Sequence, residues 1–114
     1  MNSTEPTTKE ILLRAKGLIQ NHENWTHQAF ARTTVGAAVD VTSPNAQLFD
    51  IVGAVRRAYF DLTGDGYSLH TNEHCQEALG VLYEAAGIGH GLSIWNDEST
   101  HSEVMAIFEV ATHE

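Results

Sequence analysis

The sequence predicts a mostly α-helical single domain: four helices, with a small two-stranded β-hairpin after the first. Three observations carry this expectation. Apolar residues recur at helical spacing in four separate stretches. Two of those stretches open on Thr-x-x-Glu, where a hydroxyl and a carboxylate satisfy each other's helix-start amides. Between the first two helices the helical period disappears and a turn-like Gly36 stands among short apolar runs. At 114 residues and 42% hydrophobic content the chain fits one domain, since two would each be too small to bury a useful core. The domain is expected over 8–113, with 1–7 as a flexible polar tail.

The first helix opens on Thr7 and Glu10. Ile11, Leu12, Ala15, Leu18 and Ile19 share its buried face, and Asn21 stops it. Trp25 and Phe30 follow as apolar anchors, and the hairpin is expected to pair 28–32 with 37–41. Ser43 as cap and Pro44 at the first helical position predict a second helix, because a proline there loses no hydrogen bond. Leu48, Ile51, Val52, Val55, Ala58, Tyr59 and Leu62 give it a broad apolar face, and Gly64 and Gly66 end it. The third helix starts at Thr71 or Asn72, buries Cys75, Ala78, Leu79, Leu82 and Ala86, and ends on a left-handed Gly87. Trp95 anchors the next loop, and Asn96 and Asp97 suit an Asx-type turn. Thr100 and Glu103 begin the fourth helix, with Val104, Ile107, Phe108 and Ala111 as its buried stripe.

Charge is the other strong signal. The formal charge is −9, and all six basic residues lie at or before Arg57. Residues 58–114 hold ten carboxylates and no Lys or Arg, while 1–57 balance to +1. Direct nucleic-acid binding is disfavoured, because phosphates need cations. Glu73, Glu77 and Glu84 fall on the polar side of the third helix; with Asp97 and Glu98 they form the candidate surface for a basic partner. No apolar run approaches the ~20 residues that cross a bilayer. The start lacks the basic and apolar regions of a signal peptide, and the single Cys75 excludes an intrachain disulfide. A reducing, cytoplasmic setting is the expectation.

Candidate chemistry is sparse. Asp61, Thr63, Asp65 and Gly66 match positions 1, 3, 5 and 6 of a Ca²⁺ loop, but position 12 is Asn72 where a bidentate Glu is needed. A helix-ending turn explains the same letters. The seven histidines show no zinc-ligand spacing: His70 and His74 are four apart, but His70 precedes the helix cap. Cys75 lies on an apolar face and reads as a core residue. Asp97 and Glu103 are a carboxylate pair of the kind acid–base chemistry uses, although any capped helix behind an acidic loop offers as much. No nucleophile elbow, P-loop or dinucleotide fingerprint is present, so no cofactor is expected.

"ILLRAKGLI", Trp25 soon after it, "AFAR", "SPNAQLFDIVGAVRRA" and "IWNDESTHSEVMAIFEVA" follow one order. In that order the chain resembles a family of small uncharacterised proteins of actinobacteria and their phages. The resemblance covers most of 8–112. Its most specific part is Trp95-Asn96-Asp97 with Thr100, Glu103 and Val104. Where that family often has Trp-Cys before Gly-Ala, this chain has Phe49-Asp50 before Gly53-Ala54. The resemblance implies a phage, plasmid or bacterial accessory protein and no particular activity. The leading expectation is a non-enzymatic acidic module that binds a basic protein surface, such as a nucleic-acid-handling host protein of the CRISPR kind. A metal-binding or hydrolytic protein using Asp61 and Asp65 or the histidines is the alternative, and a homodimer or larger homo-oligomer the third.

Overall fold

Helix α1 (Thr8–Leu18) begins where its sequence says it should. Thr7 Oγ1 accepts the Glu10 amide at 3.0 Å, and Glu10 accepts the Thr7 amide at 2.7 Å. The computed structural model describes residues 5–113. Of the stretch expected as a tail, residues 1–4 lie outside the described residues, and Glu5 accepts a hydrogen bond from the Tyr59 hydroxyl at 3.0 Å.

The expected helices and hairpin are present, with one short helix more. After α1 come a one-turn 3₁₀ helix (His22–Asn24), β1 (Ala31–Arg32), β2 (Leu48–Phe49) and α2 (Ile51–Thr63). A second 3₁₀ turn (Leu69–Thr71) leads to α3 (Glu73–Ala86), α4 (Leu92–Asp97) and α5 (His101–Thr112). Ile11, Leu12 and Ala15 of α1 meet Val55 and Ala58 of α2, Ala78 and Leu82 of α3, and Val104 and Phe108 of α5 in one core. α4 rests on α2.

Three expectations are corrected. β1 pairs antiparallel with Leu48–Phe49, not with a strand over 37–41. The nearer segment keeps one bridge, Arg32 to Ala38, around a tight turn at Gly36 with φ 93°. The second helix therefore starts seven residues beyond Pro44, at Ile51. Extended backbone at Leu48–Phe49 buries Phe49 and bonds to β1, which outweighs the local Ser-Pro start signal. Asp50 is the cap instead, accepting the Gly53 amide at 2.6 Å. Finally, residues 92–97 form α4 rather than a loop with an Asx turn, because Leu92 and Asn96, four apart, are both buried.

Two of the expected apolar contacts also differ. Phe30 is 45% exposed, with the Arg56 guanidinium 4.7 Å from its ring centroid, and Leu62 is 43% exposed. The rest of the α2 face is covered by the chain itself: Ile51 to Val55, Ala58 and Tyr59 are all buried.

Two contacts lock these elements. Gly53 lies so close to β1 that a Cβ there would stand 1.9 Å from the Phe30 carbonyl oxygen. The fully buried Asn96 side chain joins three segments. Its Oδ1 accepts from Trp25 Nε1 at 2.8 Å and from the Ile51 amide at 3.1 Å, and its Nδ2 donates to the Thr26 carbonyl at 3.1 Å. Asn96→Ala leaves buried groups unpaired and is expected to lower the unfolding free energy by about 3 kcal/mol in urea titrations. A loss below about 1 kcal/mol would show the three bonds to be dispensable.

Candidate functional site

The ten carboxylates of the second half meet different fates. Asp61 is neutralised by two arginines, Arg57 Nε to Oδ1 at 2.9 Å and Arg14 Nη2 to Oδ2 at 2.8 Å. Glu109 pairs with Lys16, whose hydrogen bond and charge hold its carboxyl below the usual range. Glu103 closes the α5 capping box, accepting the Thr100 amide at 2.8 Å. Asp65 accepts the Tyr67 amide at 3.0 Å. Asp97 accepts the Gln28 amide at 2.7 Å, an arrangement for which Gln28 takes a left-handed φ of 64°.

Glu73, Glu77 and Glu84 are different. All three are exposed on α3, and among the described residues no cation pairs with them. At 100° per residue they lie within an arc of about 40° and span about 16 Å of helix. Beside Glu84 a shallow cavity of about 240 Å³ separates α3 from α5, lined by Val81, Glu84, Ala85, Val110 and Ala111. Val110 is 63% exposed. This face combines unpaired carboxylates with exposed apolar surface. Asp97 and Glu98, expected on the same surface, are placed differently: Glu98 is exposed at the end of α4, and Asp97 faces Gln28 and Asp50.

That second locus is one the sequence did not single out. Asp50, 1% exposed, lines a cavity of about 240 Å³ with Gln28, Ala29, Phe30, Ser93 and Asp97. Its Oδ2 accepts from Ser93 Oγ at 3.3 Å. Burial pushes its carboxyl up from 3.8 to about 6, and the Asp97 charge adds to this. The Gly53 and Ser93 hydrogen bonds and the Arg56 charge act in the opposite sense.

The family of unknown function DUF6197 matches the chain over residues 3–114. The chain belongs to this family. No curated protein and no solved structure matches it. DUF6197 membership agrees with the expectation of an uncharacterised family and assigns no chemistry.

In this DUF6197 chain the candidate metal residues do not converge. Asp61 is held by its two arginines, Thr63 Oγ1 donates to the Tyr59 carbonyl at 2.8 Å, and Asp65 folds back on Tyr67. Among the described residues no three His, Cys, Asp or Glu side chains are grouped to hold a metal ion. His22, His27 and His101 instead gather round Trp25, with ring centroids 5.9, 5.4 and 5.7 Å from its own. His101 Nε2 lies 2.7 Å from the Ile19 carbonyl, which can only accept, so that nitrogen carries the proton. His22 and His27 flank Trp25 within one stretch of six residues, and spacing along the chain gave no hint that His101 joins them, because it comes from the start of α5. Cys75 is fully buried, and burial raises its thiol to about 11, the opposite of an activated nucleophile.

Because its pKa is higher folded than unfolded, Asp50 contributes stability that is complete below about pH 4 and is lost as pH rises through about 6. Asn caps helices as well as Asp. The Asp50→Asn variant should therefore match the parent near pH 4 and exceed it by about 2–3 kcal/mol at pH 7. Urea unfolding of both proteins from pH 4 to 7 measures this, and parallel profiles would show that Asp50 does not titrate in that range.

Proposed function

We propose that this protein is a non-enzymatic interaction module whose α3 face binds the basic surface of another protein. The observation that carries this is selective neutralisation. The chain spends Arg14, Arg57 and Lys16 on Asp61 and Glu109 and leaves Glu73, Glu77 and Glu84 unpaired on one helix face. Three like charges on one face repel one another and favour a ligand that brings positive charge. The adjoining apolar groove supplies surface that association can bury, so charge sets approach and orientation while Val81 and Val110 add contact.

Nucleic-acid-handling proteins present such surfaces, since their phosphate-binding grooves are lined with Arg and Lys. An acidic face of this kind competes with phosphate for the same side chains. A defence protein of the CRISPR type is therefore a candidate partner, in keeping with the phage or mobile-element setting that the sequence resemblance implies.

The test is affinity capture from the native host after nuclease treatment, with the parent chain and the Glu73→Lys, Glu77→Lys, Glu84→Lys triple variant side by side. The parent should retain basic proteins that are released as salt rises from about 0.05 to 0.5 M, where screening lengths fall from more than 10 Å to a few. The triple variant, its fold checked by circular dichroism, should retain none of them. Retention that survives both the substitutions and the salt would remove α3 as the binding face.

A further inference from the structure

Phe30 also lines a larger cavity, of about 310 Å³, together with Val39, Val41, Arg56, Leu69 and His70, and with Asp40, Gly66 and Ser68. Its distinctive member is Arg56. Arg14, Arg32 and Arg57 each donate at least two hydrogen bonds to protein oxygens. Among the described residues no protein oxygen accepts from Arg56, and its Nε is shut off from solvent without a partner. The guanidinium rests on the Phe30 ring, and its charge reaches Asp50 without a hydrogen bond. The ring face and the Asp50 charge offset only part of this burial, and the guanidinium, which lines the cavity, lacks the acceptor that an external carboxylate supplies, because its two oxygens match the guanidinium fork.

We propose that this cavity binds a small organic carboxylate, anchored by Arg56, with its hydrocarbon part against Val39, Val41 and Leu69. Ser68 and His70 offer further polar contacts at the wall. Asp40 sets the specificity. Its Oδ1 is occupied by the Thr42 amide and hydroxyl at 2.9 and 2.8 Å, and its remaining negative charge opposes a dianion. A singly charged apolar acid is therefore favoured over phosphate.

Nitrogen-15 NMR of the arginine Nε–H signals tests this on the intact chain, with isovalerate, isovaleramide and inorganic phosphate as probes. Isovalerate should shift the Arg56 signal saturably, with a dissociation constant below about 10 mM. The amide and phosphate should leave it in place. Calorimetry should show isovalerate binding weakened at least about tenfold by Arg56→Lys, which keeps the charge but loses the fork. No saturable shift in the parent chain, or an equal response to the amide or to phosphate, overturns the proposal whether or not the variant folds.

Discussion

The amide of Asn96 is the point at which three otherwise separate segments meet, its own helix α4 among them. Trp25 and Thr26, consecutive residues between the first 3₁₀ turn and β1, and Ile51 at the start of α2 all bond to this one side chain of α4. None of them is covalently near it. In a water-free interior each such bond is strong and each missing one is expensive, so the three segments take up this arrangement together or not at all. Burial of Trp25 and the direction in which α2 leaves the hairpin follow from it.

The same junction explains the placement of Asp50. A helix start needs an acceptor for its free amides, and α2 finds one in a carboxylate that packing has removed from water. Asp97, one residue beyond Asn96, holds the Gln28 amide and brings a second negative charge close by. The chain tolerates this crowding because Gly53, Ser93 and Arg56 offset part of it. Charge elsewhere is handled by a simpler device, in which cations of the first half reach across to α2 and α5. Among the described residues the outer face of α3 keeps three carboxylates with which no cation pairs.

Local signals in the sequence were legible and distant ones were not. Thr7 with Glu10, Thr100 with Glu103, and Gly87 each act within one helical turn, and each occupies its expected position. Asn72 proved to be the α3 cap, accepting from the His74 and Cys75 amides. The exposed stripe of Glu73, Glu77 and Glu84 was readable because helical period alone decides it. Ser43-Pro44 was misleading, since a good start signal lost to strand pairing that involves residues some sixteen positions away. Asp50, Arg56 and Asn96 escaped notice because their roles exist only once β1, α2 and α4 meet. Nothing in the spacing of Asn96 distinguishes a buried junction from a turn residue.

The close approach of Gly53 to the Phe30 carbonyl has a consequence for how the chain finds its fold. Its neighbours on α2, Val52 and Ala54, both carry a Cβ that could not occupy the same spot. Rotation or sliding of α2 by one residue beneath β1 would drive such an atom into the backbone. The strand and helix therefore fit together in a single alignment, selected by the missing methyl group as a keyway selects one key.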